Sequence, residues 1–99
     1  MVPSLKDFDV LRGIRVVELT SWISGSYAGA MLAGLGADVI KVEPPQGDSW
    51  RDATGMYSFS ALNRNKRGIV VDLTKEDGRK VMRELVGRSD VFLENMAPD

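Results

Sequence analysis

The 99-residue sequence contains no cysteine and no histidine. The first absence excludes disulfides, thiol nucleophiles and thiolate metal sites. The second removes the commonest general base near neutral pH and the commonest imidazole ligand, so no metal is expected. Surplus charge is also missing: 13 lysines and arginines face 14 aspartates and glutamates, for a formal net charge of −1. A general nucleic-acid binder would carry a basic excess instead, so no nucleic-acid partner is expected. No apolar run approaches the roughly 20 residues a membrane span requires. Met1 to Asp9 shows no basic stretch followed by an apolar one, so no secretory signal is read and a cytoplasmic location is expected. What is present, 43% hydrophobic and 27% charged residues, is the composition of an ordinary globular domain or a piece of one.

Patterning along the chain alternates strands with helices. The β-branched run from Gly13 to Leu19 reads as a buried strand that ends in the polar loop Thr20 to Gly25. Ala28, Met31, Leu32 and Leu35 then stripe one face of a helix that Gly36 would cap, while the small Gly29, Ala30, Ala33 and Gly34 permit close packing. Ala37 to Glu43 is a second strand, stopped by Pro44 and Pro45, which cannot donate to a sheet ladder. A long excursion follows to Asn65, with an aromatic patch at Tyr57 and Phe59 and a short helix around residues 57–62. Gly68 to Leu73 is a third strand, and Thr74 with Asp77 has capping-box spacing ahead of a helix faced by Val81, Met82, Leu85 and Val86. Val91 to Asn95 is a fourth strand. Such alternation predicts a parallel sheet with right-handed crossovers, in the doubly wound α/β class. Ligands of such sheets gather beyond the strands' carboxyl ends, here Glu18 to Thr20, Glu43 and Pro44, Asp72 to Thr74, and Glu94 to Met96.

Several motifs admit two readings. Gly25 to Glu43 imitates a dinucleotide fingerprint, with an acid 18 positions after the first glycine. The glycines, however, are spaced G-x-x-x-G rather than G-x-G-x-x-G, and a loop intervenes where a tight turn is needed, so they serve equally to ease helix–sheet packing. Asn63 to Arg67 (NRNKR) offers a planar guanidinium fork and a point charge to phosphate oxygens, or forms a solvated turn. Trp50, Arg51 and Tyr57 could stack on and pair with a nucleotide, or form the private core of a long loop. Asp38, Glu43, Asp72, Asp90 and Glu94 all adjoin strands, and spacing alone selects none of them as a nucleophile.

Five segments taken in order resemble the successive N-terminal motifs of class III coenzyme A transferases. They are Leu11 to Leu19 (LRGIRVVEL), Leu35 to Pro45 (LGADVIKVEPP), Gly47-Asp48 with Arg51, Asn63 to Arg67, and Asp90 to Asn95 (DVFLEN) with Pro98. This family of CaiB/BaiF type includes formyl-CoA transferase, carnitine CoA-transferase and α-methylacyl-CoA racemase. The resemblance implies that residues 1–99 are the N-terminal portion of a Rossmann-like, CoA-binding large domain, incomplete relative to a family length of roughly 400 residues. It also implies a homodimer of interlocked subunits acting on an acyl-CoA and a carboxylic acid acceptor. The family's catalytic aspartate, which attacks the thioester, would lie beyond Asp99, so no catalytic residue is assigned here.

Position by position, the resemblance places CoA contacts at Ile23 and Ser24, at Pro44, at Val71, Asp72, Leu73 and Thr74, and at Asn95, Met96 and Ala97. Some transferases have an arginine at Pro44 for the CoA phosphates, and here that role would pass to Arg51, Lys66 or Arg67. The chain departs from the family pattern at Ser26, usually proline, and at Met96 and Asp99, usually phenylalanine and glycine. Alternatives are a segment of the racemase branch, or a non-catalytic module that binds CoA or docks onto a separate catalytic chain.

Overall fold

The computed structural model describes residues 9–54 and 56–97, without the side chains of 52–57. The leader before Asp9, the Tyr57 side chain, Pro98 and Asp99 therefore lie outside what is described. The elements are β1 (Arg15–Leu19), α1 (Ser24–Gly34), β2 (Asp38–Glu43), α2 (Ser49–Thr54), α3 (Met56–Asn63), β3 (Arg67–Val70), α4 (Glu76–Gly87) and β4 (Val91–Glu94). The strands form one sheet of order β3-β2-β1-β4, every pair parallel. The expected α/β fold is thus present.

Register assigns each strand residue to a face. Val16 lies beside Val39, Val17 beside Ile40 and Glu18 beside Lys41. On one face Val16 and Val39 pack with Ala33 and Ala37 around α1; on the other Val17 and Val42 pack with Val71 and Met82 beneath α4. Helix α3 lies against α1. Both faces of β1 and β2 are therefore covered, which is why these strands read as β-branched runs without polar alternation. The chain winds outward from β1 through β2 to β3, then crosses back to add β4 on the other side of β1. The strand order reverses between β1 and β4, and such switch points open a crevice at the carboxyl ends.

Helix α1 ends as its sequence predicts. Gly36 has φ +103°, its amide donates to Ala33 O at 3.0 Å, and the Ala37 amide donates to Leu32 O at 3.1 Å, the paired bonds of a Schellman cap. Its buried face differs from the expected stripe. Gly25, Ser26, Gly29, Ala30 and Ala33 face the sheet, while Met31 and Leu35 are exposed and only Leu32 of the large residues packs against the core. The reason lies beneath the helix, where the Glu18 carboxylate fills the space that a β-carbon of Gly29 would need and Lys41 reaches Ser26 Oγ, which leaves no room for large side chains.

Three further expectations are corrected. The excursion after Pro45 holds two helices, α2 and α3, rather than one. Strand β3 ends at Val70, three residues early, because the chain turns into a loop built on Asp72. The capping box does not form: Lys75 is the N-cap, without a side-chain bond, and Thr74 turns back so that its hydroxyl and amide donate to Asp72 Oδ1 at 2.6 and 3.0 Å. Glu76 and Asp77 still place negative charge in the first turn of α4, where the helix dipole favours it.

Candidate functional site

At the carboxyl edge of the sheet the strand-end loops enclose a crevice of about 420 Å³. Leu19, Thr20 and Ser21 come from the end of β1, Val42 to Ser49 from β2 and its loop, Val71 to Thr74 from beyond β3, and Met96 from beyond β4. Of the residues singled out by resemblance, Pro44, Val71, Asp72, Leu73, Thr74 and Met96 are thereby brought together. Ile23, Ser24, Asn95 and Ala97 stand outside the lining. Ile23 and Ser24 open α1, and Asn95 clasps the β1 loop. Its amide group donates to Ser21 O at 2.8 Å and its Oδ1 accepts from the Ser21 amide at 3.2 Å. These two bonds tie the ends of β1 and β4 together across the switch point.

The cations assigned to phosphates are placed elsewhere. Arg51 forms a fork on Glu43, with Nε to Oε1 at 2.8 Å and an η-nitrogen to Oε2 at 2.9 Å, while its guanidinium carbon lies 3.8 Å from the centre of the Phe59 ring. Arg67 reaches Asp38 at 2.7 and 2.9 Å at the amino ends of the strands, the opposite edge of the sheet. Lys66 points into the protein with its side chain 2% exposed, and its ammonium meets Glu18 Oε1 at 2.6 Å, Asn63 Oδ1 at 2.8 Å and Ser26 O at 2.9 Å.

The carboxylates beside the strands also have structural occupations. The Arg67 and Arg15 guanidiniums hold Asp38 below the ordinary aspartate range, although partial burial opposes them. Bonds from the Thr74 side chain and backbone lower Asp72. Asp90 accepts from the Arg15 amide at 2.9 Å, and Glu94 accepts from the Met96 amide at 2.8 Å. Glu43 is lowered chiefly by its bonds from Arg51, against the opposing effect of burial, with help from the Asp48 amide. A carboxylate lowered in this way contributes stability that is present above the ordinary glutamate value and is lost as pH falls through the folded one. Arg51→Met is therefore expected to destabilise the protein by about 1 kcal/mol at pH 7, with the difference from wild type shrinking between pH 5 and pH 3 in urea unfolding. A difference that stays constant with pH would refute the linkage.

Sequence reasoning passed over the most distinctive group of charges. Glu18 is fully buried, and Lys41 and Asp48 are nearly so, at 2% and 3% exposure. Lys41 Nζ lies 2.9 Å from Asp48 Oδ2 and 3.1 Å from Glu18 Oε2, while Glu18 joins Lys66 on its other oxygen. Thr20 Oγ1 donates to Glu18 at 2.5 Å. Two carboxylates and two ammoniums thus balance beneath α1. Burial pushes the Lys66 ammonium below the ordinary lysine range, and its bond to Glu18 works against that. One signal was available: Glu18 and Lys41 each sit inside a strand among β-branched residues that the pattern buries on both faces, and buried charges must be paired.

Comparison with known proteins agrees with this geometry. Residues 11–99 match the model of CoA-transferase family III. The chain is 44% identical over 95 residues to the formyl-CoA:oxalate CoA-transferase of Streptomyces coelicolor, covering 89% of this chain and 23% of that protein. It is 42% identical over 102 residues to the succinate–glutarate CoA-transferase of Agrobacterium fabrum, covering 90% and 26%. A CAIB/BAIF family protein from Brucella suis superposes with a TM-score of 0.83 at 42% identity, over 87% of this chain and 25% of that one. The orthorhombic structure of Rv3272 from M. tuberculosis does so with a TM-score of 0.77 at 41% identity, over 83% and 22%. The chain spans about a quarter of the length of these relatives. With its parallel sheet and its motifs in register, it belongs to CoA-transferase family III.

Proposed function

We propose that the crevice holds coenzyme A and that this chain is the CoA-binding portion of an enzyme that moves CoA from an acyl-CoA to a carboxylic acid. The observation that carries the reading is convergence: three stretches marked by family resemblance, after three different strands, line one crevice at the switch point. Leu19, Val42, Pro44 and Leu73 give it apolar walls suited to the pantetheine arm, whose amides would pair with backbone groups at the strand ends. No cation lines it among the described residues. The CoA phosphates would therefore lie at the mouth, towards Arg51, whose side chain remains 39% exposed while it holds Glu43. Relatives named for formyl-CoA with oxalate and for succinate with glutarate favour transfer over racemisation and a carboxylate acceptor. The attacking aspartate would be supplied beyond residue 99, and the working enzyme would be a cytoplasmic homodimer.

Calorimetric titration of the protein with CoA tests this. Saturable binding is expected. Thr74→Trp, which fills the crevice from its rim, should raise Kd about tenfold, a loss of about 1.4 kcal/mol. Arg67→Ala, at the far edge of the sheet, should leave Kd unchanged. Absence of saturation in the wild type, or equal weakening by both substitutions, would sink the assignment.

A further inference from the structure

Beneath the crevice one ammonium contacts several of the parts that form it. Lys41 Nζ donates to Thr20 O in the β1 loop at 3.1 Å, meets Asp48 in the β2–α2 loop at 2.9 Å, and reaches Glu18 at 3.1 Å and Ser26 Oγ of α1 at 3.4 Å. Thr20 and Asp48 line the crevice and Lys41 does not. Asp48 in turn organises its own loop. Its Oδ1 accepts from the Trp50 amide at 2.8 Å, capping α2, and its amide donates to Glu43 at 2.8 Å. The turn between them is closed by the Gly47 amide on Pro44 O at 2.9 Å.

We infer that Lys41 is a positioning residue that fixes the distance between the β1 loop and the Pro44–Ser49 loop, and so the width of the crevice, through Thr20 O and Asp48. The inference rests on the reading of the crevice as a CoA site. An apolar core could hold β1 and β2 side by side, and their neighbouring register positions do so already. What apolar packing cannot supply is a directional link from strand to loop, since hydrophobic contact is non-directional. A buried ammonium supplies it: Thr20 O accepts a hydrogen bond from it, and its ion pair with Asp48 holds the second loop, because a buried charge left without its counter-charge is strongly unfavourable. The Lys41–Asp48 pair is therefore the element that stops the loop from swinging away when no ligand is bound. Preorganisation of this kind appears as affinity, because the ligand does not have to order the wall it binds.

The test uses Lys41→Met/Asp48→Asn, which removes one charge of each sign and keeps an oxygen to cap α2, together with the milder Asp48→Glu alone, which keeps the charge balance and moves the carboxylate by one methylene. Two measurements are made on the full protein: amide hydrogen exchange without ligand, and calorimetric titration with CoA. The expected result is faster exchange confined to residues 44–51 and a Kd raised about tenfold in the double variant, with a smaller change of the same kind in the single one. Wild-type exchange and wild-type Kd in a folded variant would overturn the inference. So would exchange that rises evenly over the sheet, since that marks lost stability rather than a released loop. If the double variant does not fold, Asp48→Glu decides by the same two criteria. A wild-type protein that does not bind CoA overturns the site reading itself, and the exchange measurement still decides whether Lys41 holds the loop.

Discussion

Replacing Glu18 with glutamine is expected to destabilise the protein by about 3–5 kcal/mol, the usual consequence of breaking a buried ion pair from one side. The substitution is nearly isosteric, so no cavity accounts for the loss. It leaves Lys41 and Lys66 sharing the single carboxylate of Asp48, which contacts Lys41 alone. One uncompensated positive charge then remains in a site from which water is excluded. In urea the unfolding midpoint should fall by about 2 M with little change in slope. Adding Lys66→Met to Glu18→Gln restores the balance of charge, so the double variant should be more stable than the sum of the two single losses by at least about 1 kcal/mol. Strict additivity, or a neutral Glu18→Gln, would show that the group is hydrated and its pairing unimportant.

Gly29→Ala is expected to destabilise by about 3 kcal/mol, the upper end for an added methyl group in a packed interior. A β-carbon at this position would fall inside the Glu18 carboxylate, next to Lys66 Nζ at 3.1 Å. Either α1 lifts from the sheet or Glu18 gives up one of its lysines. Gly34 provides the contrast within the same helix. A β-carbon there meets nothing within 4 Å, so Gly34→Ala should stabilise by about 0.5 kcal/mol through helix propensity and a less flexible unfolded chain. Thermal melts of the two variants should therefore shift in opposite directions, and equal shifts would contradict the packing described for α1.

The contrast also shows what the sequence made legible. β-branched runs revealed the first three strands, alternation with the helices placed the fourth, and Gly36 marked the end of α1, because these signals follow from backbone geometry and burial. The helix stripe misled because periodicity reports where large apolar residues sit, and it was assumed that the largest face the sheet. Here Gly25, Gly29 and Ala33 do so, since the Glu18 carboxylate lies where a β-carbon of Gly29 would stand and Lys66 donates to the helix backbone at Ser26 O. The crevice walls at Pro44 and at Val71 to Thr74 were found through family resemblance, supported by the rule that strand ends face ligands. Arg67 lies at the amino edge because the run of cations directly precedes β3, a placement that its position in the sequence already implied. Lys66, its neighbour in the chain, turns inward to Glu18, a partner 48 positions away that local pattern cannot identify.

The strand order sets a schedule for synthesis. β1 is central, yet its neighbour on one side, β4, is made long after it, with Val16 pairing to Val91 and the Arg15 amide bonded to Asp90 at a separation of 75 residues. At ordinary ribosomal rates the open side of β1 waits on the order of 10 s for that partner. During this interval β1 and β2 can already close on α1, because their link is short and local. A nascent chain would thus carry β1 as an unpaired edge of mostly apolar residues, Val16, Val17 and Leu19, and it is in this interval, before β4 covers it, that binding of a chaperone to the segment would matter most.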